Sequence, residues 1–270
     1  MKFALINGER HEPTPGSAGT CPGCGQEVLA KCGTVRIWHW AHKGKRSCDP
    51  WWEPETLWHR TWKNLFPAEW QEVPMRAPDG ELHIADVRTP QGLVIEFQHS
   101  AIKQEERTSR ESFYQNMVWV VDGTRLKRDR PRINENRRGW RNLEENFVEL
   151  TRWPSEFLPA NWLNASTPVL FDFDGLTRQE DYVEERDSEP PSVLRDDAWW
   201  NSRGACPDPL ICLLPKRYND HALYFPINRL RFIKVVNEET KVFDYRLVHQ
   251  RLMERDAELA VKFRGRRNRF

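Results

Sequence analysis

ELHIADVRTPQGLVIEFQHS, residues 81–100, is the stretch whose reading decides the fold. Leu82 to Arg88 reads as a strand, Thr89-Pro90-Gln91-Gly92 as a turn, and Leu93 to Gln98 as a second strand, so 80–98 is a hairpin. Successive strand side chains alternate between faces. Glu96 and Gln98 therefore point one way, Ile95 and Phe97 the other, and Asp86 lies near the matching end of the partner strand. His83 is out of phase with Asp86, which assigns it a structural place facing away; His99 follows the strand end.

Working outward, Pro54 sits near the start of a helix, where its missing N–H is harmless. Pro67 ends that helix near Leu65. Its apolar face is Leu57, Trp58, Thr61, Trp62 and Leu65, and Glu55, His59 and Lys63 share another stripe. Ala68 to Arg76 reads as a strand, Ala101 to Asn116 as a polar helix anchored by Ile102, Phe113 and Met117, and Val118 to Val121 as a strand buried on both faces. The order is α-β-β-β-α-β, an α/β (α+β) core over residues 51–125.

Glu96 stands among Leu93, Val94, Ile95 and Phe97, where an unpaired carboxylate is costly and two carboxylates repel. A divalent cation resolves both problems. Asp86 and Glu96 make a hard oxygen site of the kind Mg2+ (or Mn2+) takes, and such an ion activates water and stabilises charge on phosphate. The alternative is a solvated Glu96, or one paired with Arg88 or Lys103. Arg110 and Tyr114, one turn apart on the second helix, are either a surface pair or a phosphate contact beside the metal.

The first 50 residues carry Cys21-x2-Cys24, then His39-x2-His42 after a 14-residue gap. Zinc takes four tetrahedral N and S ligands, and paired close spacings let two short knuckles supply them. H-x2-H is one residue shorter than the usual finger spacing. The four are therefore Cys21, Cys24, His39 and His42, or one histidine is structural and Cys48 or Cys32 completes the site. A module of about 50 residues needs such a staple, or docking to a neighbour.

The whole chain has 270 residues with 41 Lys and Arg against 40 Asp and Glu. Its 13 Trp and 13 Phe supply enough apolar bulk to exclude global disorder. No apolar run approaches a membrane span, and the opening MKFALINGER is too short for a secretory signal, so the expectation is a cytoplasmic protein without a membrane partner. Near-neutrality conceals blocks: residues 151–200 carry four basic and eleven acidic side chains, residues 201–270 fifteen and eight. Gly123 to Arg141 holds eight Lys and Arg, Lys127, Arg128 and Arg130 among them, directly after the last core strand, where DNA phosphates could be held. Residues 126–270 form a C-terminal region without an assigned role. It contains a short strand at Val169 to Phe173, the apolar runs LICLL and FIKVV, and a helical stripe over Tyr245 to Phe263.

CPGC (21–24), HWAH (39–42), HIADV (83–87), IEFQHS (95–100), the Arg110 to Tyr114 spacing and VWVV (118–121), in this order, resemble the competence protein CoiA-like family over roughly residues 1–122. The resemblance implies a restriction-endonuclease-like core of the PD-(D/E)XK superfamily behind a zinc-finger-like region, and a part in natural transformation and recombination of incoming DNA. It implies that Asp86 is the aspartate of the second core strand, that Glu96 and Gln98 are the (D/E)-x-K element, and that Glu55 is the acid of the first helix. Gln98 stands where typical superfamily nucleases have lysine, a group that adds charge; His99, Lys103 or Lys63 are candidates to replace it.

Two functions follow as expectations. One is a Mg2+-dependent deoxyribonuclease with Asp86, Glu96, Gln98 and Glu55 at the site, and with Arg110, Lys103, Lys127, Arg128 and Arg130 on DNA. The other is a DNA-binding accessory factor for recombination proteins, without turnover. A defence nuclease on the same core shares the first chemistry.

Overall fold

The computed structural model describes residues 1–44, 51, 54–127, 129, 132, 141–142, 149–151, 153–156, 158–173, 209–218, 221–237, 250 and 253–254. Among the described residues, two sheets and a few short helices make a mixed α+β protein.

The N-terminal module is an antiparallel sheet of β1 (Ala4–Ile6), β2 (Glu9–His11), β3 (Ala18–Thr20), β4 (Glu27–Lys31) and β5 (His39–His42), in the order β2-β1-β3-β4-β5. Asn7 and Gly8, at φ 53° and 85°, turn β1 into β2, the left-handed pair that a tight hairpin requires. Met1, Ala4, Cys21, Val28 and Trp40 form its small core, against which Leu82 and Ile84 of the neighbouring sheet pack. Arg10 donates to the carbonyls of Ala68 and Gln71. The module is thus docked to its neighbour.

The expected α-β-β-β-α-β order is present as α1 (Leu57–Asn64), β6 (Gln71–Arg76), β7 (Leu82–Arg88), β8 (Val94–Gln98), α2 (Gln104–Tyr114) and β9 (Met117–Asp122). Thr56 caps α1 by accepting from the His59 backbone N–H. Trp58 and Trp62, one turn apart, are buried by the sheet, whereas Leu57, expected on the same face, is 64% exposed. On α2 the inward stripe is Arg107, Arg110, Glu111 and Tyr114. Charged residues occupy it because each has a hydrogen-bonding partner: Arg107 donates to the Asn161 and Asn164 carbonyls, and Glu111 accepts from the Trp119 indole and from Ser166.

The sheet does not stop at residue 125. It continues through β10 (Arg141–Asn142), β11 (Glu149–Thr151), β12 (Val169–Asp172), β13 (Pro209–Tyr218) and β14 (His221–Asn228), in the order β10-β11-β14-β13-β12-β9-β8-β7-β6. The boundary read at 125/126 therefore divides strands of one sheet. β8, β9 and β12 are parallel and wholly buried, the pattern of strands covered on both faces. LICLL lies in β13, while FIKVV falls in helix α3 (Arg229–Asn237). The final helix read over Tyr245 to Phe263 lies almost entirely outside the described residues.

β12 ties this C-terminal part to α1. Asp172 is fully buried; its Oδ2 accepts from the indole N–H groups of Trp58 and Trp62, each at 3.0 Å, and its Oδ1 pairs with Arg229 of α3. Among the described residues no helix is long and apolar enough to cross a membrane.

Candidate functional site

β7 and β8 pair at only two positions, Val87 with Ile95 and Arg88 with Val94. Beyond them the strands separate, which leaves ladder amides in want of acceptors. Two side chains supply them. Glu96 Oε1 accepts from the Asp86 N–H at 3.1 Å, and Asp86 Oδ2 accepts from the Phe97 N–H at 3.0 Å. Asp86 and Glu96 thus both stand at the opening between the strands, each tied to the other's backbone.

The two carboxylates look to different helices. Asp86 Oδ1 is 2.9 Å from His59 Nε2 and 4.0 Å from Lys63 Nζ, both on α1. Burial alone would raise its pKa; His59, Lys63 and the Phe97 N–H reverse that and hold it below the usual aspartate range. Glu96 Oε2 is 3.1 Å from Arg110 NH1 on α2. Arg110 was expected on phosphate or as a surface pair. It is instead buried, with its other terminal nitrogen on Glu106 and the Trp51 carbonyl, so its charge positions Glu96.

Lys63 is the hub. Its Nζ lies 2.7 Å from Glu55, 2.8 Å from Glu72 and 4.0 Å from Asp86, with the side chain 3% exposed. Burial opposes the ammonium, and the carboxylates of Glu72, Glu55 and Asp86 overcome it, raising the pKa above that of an ordinary lysine. Glu55 stands one residue before the Thr56 cap, not on the helix itself, yet reaches both Arg60 and Lys63. Despite burial, Lys63 and Arg60 hold its carboxyl well below the usual range. The stripe of positions 55, 59 and 63 was the sequence signal for this cluster. Glu72 carried no such signal; it lies on β6 between Gln71 and Val73, which pair with Val87 and Ala85 of β7.

Gln98 is buried and its amide donates to the Ser100 carbonyl and hydroxyl. His99 Nδ1 lies 2.7 Å from Asp122, a carboxylate that also accepts from Thr124. Of the three candidates to replace a lysine at position 98, Lys63 is the one the fold brings to Asp86. Lys103 and Lys127 are exposed; Arg128 and Arg130 lie outside the described residues. His83 faces away from Asp86 as expected, fully buried, stacked on Trp51 and 2.8 Å from Glu81.

In the N-terminal module the ligand atoms of Cys21, Cys24 and His42 lie within 4.8 Å of one another, with Cys24 Sγ 3.3 Å from His42 Nε2. Burial pushes the Cys21 thiol up, against the N–H groups of Cys24 and Gly23, which favour the thiolate. Two soft sulfurs on one knuckle and an imidazole from β5 suit zinc. His39 is not in the cluster, which corrects the His39–His42 pairing. On a strand, positions three apart face opposite sides; His39 and His42 both lie on β5, and His39 Nδ1 meets the Ile37 carbonyl at 2.9 Å. Cys32 is also outside the cluster, and Cys48 lies outside the described residues. Among the described residues this is the one grouping of three or more His, Cys, Asp or Glu donors close enough for an ion. Asp86 and Glu96 are oxygen donors of the right class for Mg2+, each already facing a cationic side chain.

A family model described as the N-terminal domain of competence protein CoiA matches residues 18–50, the segment that holds this cluster. The competence protein CoiA of Bacillus subtilis (strain 168) is 27% identical over 139 residues, 47% of this chain. The chain is thus similar to competence protein CoiA over part of its length. The CoiA-like alignment spans 37% of that relative's length. No solved structure matches the chain.

Proposed function

We propose that this CoiA-like chain is a metal-dependent DNA phosphodiesterase of the restriction-endonuclease-like class, acting in DNA uptake, recombination or processing. The observation that carries the reading is the split between β7 and β8, where Asp86 and Glu96 each accept a backbone N–H from the other's strand. The α-β-β-β-α-β order around that split and the CoiA similarity support it. Asp86 and Glu96 are the residues that would hold Mg2+, and the ion when bound supplies water activation and charge stabilisation on phosphate. Lys63 provides the positive charge that Gln98 lacks, and His59 fixes the Asp86 carboxylate. Exposed Lys103 and Lys127, with Arg128 and Arg130, are the proposed contacts to DNA phosphates, and recombination proteins are the proposed partners.

A supercoiled plasmid with Mg2+ or Mn2+ tests this. The wild type nicks it, and Asp86→Asn lowers the rate by about 10²-fold or more. Equal rates in the two proteins overturn the reading.

One arrangement favours a second function. Arg110 faces Glu96, and Gln98 is turned to Ser100, as in a site that binds without turnover. A DNA-binding accessory factor shows salt-sensitive binding that survives Asp86→Asn, with no metal-dependent cleavage.

A further inference from the structure

The geometry points to Glu72 as a positioning residue that couples the N-terminal metal module to Lys63, so that the module and the proposed phosphodiesterase site act as one unit. The inference deepens the proposed function and rests on it only for the role of Lys63 in cleavage.

The contacts form an unbroken path. Cys21 Sγ lies 3.7 Å from Met1 Sδ, and the Met1 carbonyl accepts from the Trp40 N–H at 2.9 Å, so the first residues are held against β5, the strand that carries His42. The next two residues hand this placement on. The Lys2 N–H lies 2.7 and 2.8 Å from the two carboxylate oxygens of Glu72, and the Phe3 N–H donates to Oε2 at 3.0 Å. The same carboxylate is 2.8 Å from Lys63 Nζ, which faces Asp86.

Two further facts separate this from an incidental ion pair. Glu72 holds φ at 48° within strand β6, a left-handed conformation that a residue with a Cβ keeps only where its surroundings impose it. Its carboxylate is also charged inside the protein, where an anion survives only if nearly every lone pair is used. The backbone amides of the module use them on one side and Lys63 on the other. Glu55 alone could neutralise Lys63; the additional carboxylate, tied to a separate sheet, makes the position of the lysine depend on that sheet.

The test is competitive acetylation of the full zinc-loaded chain, with peptide mass spectrometry of Lys63 read against exposed Lys103 and Lys127 in the same digest. In the wild type Lys63 is protected. Glu72→Gln, and more weakly Phe3→Pro, raise its relative reactivity by about fivefold or more. Chelation of zinc raises it in the wild type but adds little in Glu72→Gln, since the path is already cut. Ile211→Ala, which loosens the same sheet on β13, in a core cluster that holds no residue of α1, leaves Lys63 protected. Independent, additive effects of chelation and Glu72→Gln overturn the coupling, as does equal exposure of Lys63 by Ile211→Ala. A wild type that fails to cleave DNA removes the phosphodiesterase reading and leaves this measurement to stand or fall on its own.

Discussion

Lys63 Nζ stands 4.0 Å from Asp86 Oδ1, reaching it from helix α1 and not from the strand that carries Glu96 and Gln98. A cation is therefore present at the strand split although position 98 is glutamine. The positive charge has changed its element while keeping its neighbourhood.

Lys63→Met leaves Glu55 and Glu72 buried without their shared cation. Removing one partner of a buried charge pair costs about 3–5 kcal/mol. A lower denaturant midpoint of that size is expected, together with loss of any DNA cleavage. Lys63→Arg retains most of the stability, because the charge remains. Equal denaturation midpoints for Lys63→Met and the wild type would refute the hub.

Acid should unfold the protein through the same cluster. Burial would raise the Glu72 carboxyl, but Lys63 and the Met1 ammonium outweigh it and depress it from 4.5 to about 2 in the folded state. A depressed carboxylate contributes stability that is present above its unfolded pKa and is lost as pH falls through the folded one. Glu55 and Asp86 are shifted in the same direction. Stability should therefore decline between about pH 4.5 and 2, and more shallowly in Glu72→Gln. Urea midpoints taken across that range provide the check; a flat profile in the wild type contradicts it.

Asp172→Ala strands two indole N–H groups and the Arg229 guanidinium in the core. A loss of about 3–5 kcal/mol is expected. Because Asp172 joins β12, α1 and α3, the C-terminal elements and α1 should unfold in one transition in the wild type. Tryptophan fluorescence and far-UV circular dichroism, followed in the same denaturant series, will show whether they coincide.

Zinc should bind at one ion per chain by elemental analysis. Cys21→Ser, Cys24→Ser and His42→Ala are each expected to lose it, and His39→Ala to retain it. Retention by His42→Ala with loss by His39→Ala would invert the assignment of the two histidines.

The hairpin at 80–98, the two helices beside it and the places of Asp86 and Glu96 on adjacent strands were legible because strand alternation, proline and turn residues are local signals. So was the Cys21–Cys24 knuckle. The inward stripe of α2 was not: the segment reads as a polar helix anchored by Ile102, Phe113 and Met117, with Arg110 as a surface pair or a phosphate contact, since a charge gives no sign of burial until its partner is known. Arg110 makes the point most directly, because its partner Glu96 lies 14 residues away in the chain and on another element.

What the sequence determined by itself was the set of elements and the chemistry available to them: the order α-β-β-β-α-β, a thiol knuckle, an acidic hairpin, and histidine and lysine on one stripe of α1. Tertiary structure decided which of these groups meet. It separated His39 from His42 by strand parity, sent Lys63 to the position facing Asp86, and brought Glu72 and Asp172 into the interior, each surrounded by donors from distant segments. The physical reason is that a buried charge is tolerated only where the fold assembles its partners, and those partners come from sequence separations that no local pattern encodes.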